Sequence, residues 1–307
     1  MRDDLGIGMH PSVREDRYHA DDLMQGPTLS HGLACTMLTQ SPYHAWHQHP
    51  RLNPNYTAPK LDSAEQNRTD FGTAVHSMLL EPLRVGRIVV VEANDWRSKE
   101  AQQIRADAAN NGQVAILADK YVTAQAMVEA ARAQLARAEW RPNGHEHAEL
   151  TMLWQEAEGP VCCRARADLA DTDQHILVNY KTTSGSANPL YLQRQVASMG
   201  WDVDAAFYCR GYQTLTGEEP RYLFVVQESA PPYLLSIIAL KPDFMRLGSD
   251  KVDMALAMWR DGIYNDHWPA YPQRIAWVDA PSYEHTRFEE AQTAMIDWSQ
   301  YGGGVQA

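Results

Sequence analysis

The sequence is short of cysteine, of basic residues relative to acidic ones, and of unbroken apolar runs. Four cysteines in 307 residues do not make a disulfide framework. Cys162 and Cys163 are neighbours in an expected strand and point to opposite faces, while Cys35 and Cys209 lie far away in sequence. No apolar run approaches the roughly 18 residues that a membrane-spanning helix needs. The opening Met-Arg-Asp-Asp-Leu-Gly lacks the basic-then-apolar pattern of a signal peptide. These absences lead us to expect a cytoplasmic protein with no membrane partner. Lysine and arginine number 27 against 39 aspartates and glutamates, a net charge of −12. That balance argues against indiscriminate coating of nucleic acid. It leaves room for a local basic groove on an acidic body. We find no internal repeat and no low-complexity linker.

What is present suffices for a sizeable core, since 44% of the residues are hydrophobic. The length allows one large domain or two small ones. Residues 1–27 read as loosely structured, with Tyr18-His19-Ala20 as an anchor. Ser30 caps an expected helix through Gln40, and Ser41-Pro42 opens a second. Residues 50–68 read as a loop, after which Thr69-Asp70 caps an apolar helix carrying His76. Arg87 to Glu92 reads as a short strand. Ser98–Asn110 and Lys120–Trp140 read as surface helices. Strands are then expected at Glu149–Glu156, up to Asp168 after a turn at Glu158-Gly159-Pro160, and at Ile176–Lys181. Helices follow at Ala187–Ser198 and Trp201–Leu215, strands at Arg221–Gln227 and Tyr233–Leu240, and helices at Pro242–Trp259 and Tyr283–Trp298. Gly302-Gly303-Gly304 reads as flexible. Strands followed by helices imply an α/β fold with a central mixed β-sheet flanked by helices. We divide it into an N-terminal helical region (1–145), a core (146–265) and a C-terminal extension (266–307), one structural unit overall.

The chemistry concentrates at Val161 to Lys181. Two strands joined by a polar turn at Asp171–Gln174 bring Asp168 beside Asn179-Tyr180-Lys181. Alternation makes residues 179 and 181 face the same way. An acid, a second oxygen ligand and a lysine form a compact site for Mg²⁺, or Mn²⁺, and a phosphate, because Mg²⁺ prefers hard oxygen donors. Asp168, the Asn179 side-chain oxygen and the Tyr180 backbone carbonyl are the candidate ligands. Lys181 would hold the attacking water or the phosphate. Taken alone, the pattern also fits a β-hairpin with ordinary polar ends.

Further motifs in order make the chain resemble the PD-(D/E)xK nuclease superfamily, specifically the RecB-like, exonuclease VIII (RecE) type. These are Tyr18-His19-Ala20, Leu29-Ser30, Ser41-Pro42, Phe71-Gly72-Thr73-Ala74-Val75-His76, Leu80-Glu81-Pro82, Arg166-Ala167-Asp168, Lys181-Thr182-Thr183, and Gly200-Trp201 to Ala205-Ala206-Phe207-Tyr208. The resemblance covers about residues 17 to 240. It implies a restriction-endonuclease-like core and a metal-dependent exonuclease that resects linear duplex DNA, 5′ to 3′, for phage-type recombination. It also implies a ring-shaped homo-oligomer and a single-strand annealing partner. The iron–sulfur cluster of some relatives is not expected, because the closely spaced C-terminal cysteines are missing.

By position, the resemblance implies that His76 is a metal ligand, that Lys181 is the catalytic lysine, and that Tyr208 is the tyrosine of a Gln-x-x-x-Tyr motif. Two positions depart from the family. Asp204 stands where the glutamine is expected, on the same helix face as Tyr208. Asn179 stands where an Asp or Glu is expected and offers one neutral oxygen in place of two anionic ones. Either an active enzyme was deliberately disabled by an Asp-to-Asn exchange, which the intact His76, Asp168 and Lys181 favour, or the natural site is degenerate. If the chain cuts DNA as it stands, Glu149 or Asp204 is the candidate for the missing charge. A non-cleaving DNA-binding or assembly protein and a defence endonuclease are the alternative functions.

Arg164 and Arg166 share a strand face and either line a DNA path or solvate it. Thr182, Thr183, Arg194 and Arg210 are further candidate phosphate contacts, with exposed helix charge as the plainer reading of the two arginines. His44, His47 and His49 form a transition-metal set or else solvated or DNA-facing histidines, and His145 and His147 read as surface. Tyr43, Trp46 and Trp201 would stack on bases or, for Trp201 above all, pack in the core.

Overall fold

The computed structural model describes residues 4–59, 62–81, 85–159 and 161–300. Pro82, Pro160 and the Gly302-Gly303-Gly304 run lie outside the described residues. In chain order the elements are β1 (Gly8–His10), α1 (Glu15–His19), α2 (His31–Thr39), α3 (Pro42–Gln48), α4 (Ser63–Leu80), β2 (Ile88–Val91), α5 (Lys99–Asn110), β3 (Val114–Leu117) and α6 (Ala118–Leu135). There follow β4 (His147–Gln155), β5 (Cys162–Asp171), β6 (Ile176–Thr183), α7 (Pro189–Met199), α8 (Trp201–Thr216), β7 (Arg221–Glu228), β8 (Leu235–Ile238), α9 (Pro242–Asn265) and α10 (Ser282–Gln300). The chain divides into two units, Met1–Ala270 and Tyr271–Ala307, the second containing α10. Among the described residues no helix is long and apolar enough to cross a membrane.

Six strands form a mixed sheet in the order β1-β4-β5-β6-β7-β8. Only β6 and β7 run parallel, and a parallel pair needs a long crossover, which α7 and α8 supply. β2 and β3 form a separate parallel pair. Alternation sorts the strands between two cores. Tyr222, Phe224 and Val226 of β7 join one core with α2, α8 and α9. Leu223 and Val225 join the other with α4 and α6. β6 follows the same rule, with Leu177 in the first core and Ile176, Val178 and Tyr180 in the second.

The alternation breaks at one place, and that place is the site. On β4, Leu150, Met152 and Trp154 face the first core, but Ala148 packs against the second. On β5, Cys163, Ala165 and Ala167 face the first core, but Leu169 faces the second. The pivots are Glu149 and Asp168, which the register of the flanking pairs Ala148↔Leu169 and Leu150↔Ala167 sets opposite each other. Glu149 has φ 55, a left-handed conformation that non-glycine residues rarely adopt in a strand and that tends to mark functional sites.

The helices depart from expectation in identifiable ways. α4 begins at Ser63, not at Thr69. Asp62 accepts from the Ala64 and Glu65 N–H groups, and the Glu65 side chain returns to the Asp62 N–H, a capping box. Asp70 instead receives Arg105 Nε at 2.9 Å. α6 is not merely a surface helix, since Ala124, Met127, Val128, Ala131 and Leu135 make a buried stripe at helical spacing. The N-terminal residues are tied down, with β1 paired to β4.

The α8–α9 contact is close because Gly248 presents no side chain to the Asp202 carbonyl, which an added Cβ would overlap. Backbone cannot give way as a flexible side chain can. Gly248→Ala should therefore destabilise the fold by about 3 kcal/mol, read as a lowered denaturation midpoint. A change below about 1 kcal/mol would show that the helices slide freely.

Candidate metal centre

Strand β6 is hydrogen-bonded to β5 only at its start, through Leu169↔Val178, Ala170↔Leu177 and Asp171↔Ile176. Beyond that the Tyr180 N–H leaves the ladder and donates to Asp168 Oδ2 at 2.7 Å. A carboxylate thus replaces a strand partner, and it is held there by a backbone donor.

Three elements converge on this point. Asp168 comes from β5 and Glu149 from β4, both turned by the break in alternation. His76 descends from α4 in the opposite layer. Its Nε2 lies 3.4 Å from Asp168 Oδ1 and 3.6 Å from Glu149 Oε1. One ligand atom from each of the three falls within 4.8 Å of the others. Glu149 is steadied on its other oxygen by Arg166 Nε at 2.7 Å. The donor set, one imidazole nitrogen with anionic oxygens, fits a hard or borderline divalent cation.

The electrostatics agree with a cation site. Burial lowers the His76 pKa, but Asp168, Glu149 and Glu81 outweigh it and raise the value from 6.5 to about 9. Burial pushes Asp168 up, but the His76 charge and hydrogen bond and the Tyr180 N–H hold it below the usual carboxylate range. Burial raises Glu149 above its ordinary value, with Arg166 and His76 opposing. Asp168 and Glu149 thus favour the protonated form of His76 at neutral pH.

This has a measurable consequence. The raised His76 pKa stabilises the metal-free fold fully below about 6.5, and that contribution is lost as pH rises through about 9. Ligation needs neutral imidazole. Metal binding at pH 7 should release about one proton, and apparent affinity should fall as pH drops below about 9. Calorimetric titration in two buffers of different ionisation enthalpy reads the proton directly. Equal heats in both would contradict His76 as a ligand.

His76, Glu149 and Asp168 line a cleft of about 470 Å³ together with Asn179, Lys181, Thr182 and Tyr208. Lys181 Nζ lies 3.1 Å from Asp204 Oδ2, with the Trp201 and Phe224 rings beneath it at 5.5 and 5.7 Å. Tyr208 is buried and donates to the Arg166 carbonyl at 3.1 Å, bracing α8 against β5. Burial lifts its pKa far above the ordinary range, so it serves as a neutral hydroxyl. Tyr180 enters the site through its N–H, and its phenol donates to Gln227 at 2.5 Å.

Other expected contacts sit elsewhere. Arg164 is buried, with Nη1 2.6 Å from Asp21 and 3.0 Å from the Thr28 carbonyl, so it neither lines a DNA path nor solvates the face it shares with Arg166. Arg210 is engaged by Glu156 and Asp253, both at 2.7 Å, which removes it from the candidate phosphate contacts. Thr183 is buried and its hydroxyl accepts from the Gly185 N–H. Arg194 is exposed on α7 but does not line the cleft. His49 is fully buried 3.0 Å from Asp21, and His44 bonds Ser41, so the three histidines of that segment form no metal set. Trp201 packs in the core.

Sequence reasoning passed over Glu149 as a primary ligand. Its only signal is an acid inside a strand whose following residues are apolar. Arg68, Arg87 and His31, which also line the cleft, carry no local signature, whereas His19 belongs to the Tyr18-His19-Ala20 motif.

A family model described as a PDDEXK-like domain of unknown function matches residues 41–281. Among solved structures, one of a "Putative exonuclease" from Eubacterium rectale is similar at TM-score 0.57 and 12% identity, covering 90% of this chain and 98% of its own. That likeness speaks for the fold alone. A second, SSO0001, gives 13% identity and TM-score 0.26 over 61% of this chain and 86% of its own, too low to carry an argument. No curated protein matches. With a central mixed sheet, a His–Glu–Asp cluster at a splayed strand pair, and a family model spanning most of its length, the chain belongs to the PDDEXK-like domain family, within the PD-(D/E)xK nuclease superfamily.

Proposed function

We propose that this protein is a divalent-metal-dependent deoxyribonuclease that degrades linear duplex DNA from its ends. The observation that carries the reading is the convergence of His76, Glu149 and Asp168 within 4.8 Å in the cleft that Lys181 also lines. His76, Glu149 and Asp168 would hold Mg²⁺ or Mn²⁺. When bound, such an ion supplies an acidified water and neutralises charge on the phosphate. The chain's own groups do the rest. The Tyr180 N–H and Arg166 keep the two carboxylates in place. Lys181 positions the scissile phosphate or the incoming water. Arg68 lines the same cleft and would add a phosphate contact, whereas Arg166 and Arg87 are paired with Glu149 and Glu81.

The finer features rest on the sequence resemblance. These are attack on the 5′ strand, assembly into a ring, a cytoplasmic role in phage-type recombination, and an annealing partner for the remaining strand. Sedimentation as a monomer at micromolar concentration would remove the ring.

The test is digestion of linear and covalently closed circular duplexes with Mg²⁺, Mn²⁺ or chelator. The linear form should disappear only with metal, and the circle should survive. Loss of the circle would point to an endonuclease. Retention of both forms on a protein that still binds DNA would point to a non-cleaving binding protein. Duplexes labelled at the 5′ or 3′ end read the polarity.

A further inference from the structure

We propose that Asp204 is a positioning residue that orients the Asn179 carboxamide with its oxygen toward the metal cleft. On this reading Asn179 and Asp204 act as one unit, and an acid at 179 is not what the site lacks. The proposal rests on the metal-site reading above.

An asparagine presents an oxygen or an amide nitrogen to either side, and its neighbours decide which. Here Asn179 Nδ2 lies 3.3 Å from Asp204 Oδ2 and 3.2 Å from the Tyr222 hydroxyl. A carboxylate only accepts hydrogen bonds, so it must face the N–H₂ limb. The Tyr222 hydroxyl donates to Asp204 Oδ1 at 3.2 Å, which leaves its lone pair for the amide. The triangle closes with every proton assigned. It is also dry, with Asn179, Asp204 and Tyr222 exposed by only 8%, 3% and 5%. In such a setting a hydrogen bond to a charged group is worth more than in water.

With the nitrogen committed, the oxygen is the free limb. Asn179 lines the cleft. Among the described residues its Oδ1 accepts no hydrogen bond, yet it is not among the buried unpartnered atoms. A carboxamide oxygen is an accepted ligand for hard cations. The same Asp204 Oδ2 holds Lys181 Nζ at 3.1 Å. One buried carboxylate on α8 therefore sets both Asn179 and Lys181.

Asn179→Asp places a carboxylate oxygen where Nδ2 now sits, against Asp204 in a dry contact, and like charges repel there. Asp204→Asn removes the group that dictates the amide orientation and the counter-charge of Lys181. The reciprocal double variant N179D/D204N moves the acid to the strand and the amide to the helix. It keeps one of each in the same contact, with Lys181 still beside them.

The experiment is a double-mutant cycle on the full chain with three readouts: Mn²⁺ affinity by electron paramagnetic resonance, melting of the metal-free protein, and cleavage of linear duplex. Each single variant should lose about tenfold or more in Mn²⁺ affinity and melt below the unaltered protein. The double variant should return to within about threefold of it, a coupling far outside additivity. Rescue by exchange is an outcome that a merely structural role for Asp204 would not give. The proposal is overturned if N179D alone binds Mn²⁺ more tightly and cuts faster than the unaltered chain. It is equally overturned if the double variant shows the sum of the two single losses. Should the unaltered protein bind Mn²⁺ but cut nothing, the nuclease reading fails, while the affinity and melting cycles still decide the pairing.

Discussion

Replacing Lys181 with methionine should lower single-turnover DNA cleavage by about 10³-fold while leaving metal binding in place. The Lys181 side chain is a quarter exposed and lines the cleft that holds His76, Glu149 and Asp168. Among the described residues it makes no hydrogen bond or ion pair with those three side chains and acts on Asp168 only as a nearby charge, so its loss should leave their positions intact. Methionine keeps the apolar stem over Trp201 and Phe224 and removes only the charge. Asp204 keeps two other donors, Asn179 and Tyr222, so the fold should tolerate the change. Cleavage within about threefold of the unaltered rate, a difference small against ordinary catalytic contributions, would exclude Lys181 from the chemistry.

Arg164→Met should destabilise the protein by about 3–5 kcal/mol, the usual result of stripping one partner from a buried ion pair. The guanidinium is 5% exposed and reaches Asp21, itself fully buried, at 2.6 Å. Asp21 also takes the Thr28 N–H at 2.9 Å and has His49 Nε2 3.0 Å away. Burial alone would raise the Asp21 pKa, but His49, Arg164 and Thr28 hold it below 3.8. Its stabilising contribution is therefore present above about 3.8 and lost as pH falls through the depressed value. The network fastens the segment from Asp21 to Leu29 to β5, where the Leu29 N–H and carbonyl also pair with Cys162 and Arg164. Urea denaturation reads the loss. Unchanged stability with weakened DNA binding would instead make Arg164 a phosphate contact.

Arg164 also illustrates what a sequence leaves open. Strand alternation correctly puts it on the same face as Arg166. It does not reveal that Asp21, far away in sequence, comes to cover one and not the other. The short-range features were legible for a physical reason. Ser30 and Ser41 accept from the N–H groups of Leu33 and His44, because a cap is a local hydrogen bond. The alternation of β6 and β7 was legible because it needs only period two. Asp168, Lys181 and the His76 helix stood out through local motifs. Glu149 did not, because its role depends on a break in alternation shared with Asp168 on the neighbouring strand. The early start of α4 was hidden because Asp62 and Glu65 sit in a polar stretch with no apolar stripe to announce a helix. Asn179 looked like a defect when read alone. Only its contact with Asp204, across the β6–α8 packing, gives the amide a defined orientation.

The most direct test of the metal centre is pulsed electron paramagnetic resonance on the unaltered protein loaded with Mn²⁺, with and without ¹⁵N-labelled histidine. The bound ion should couple to a single imidazole nitrogen, with the coupling shifted by the label and abolished in His76→Ala. A bound ion with no nitrogen coupling, or a coupling that persists in His76→Ala, would contradict it.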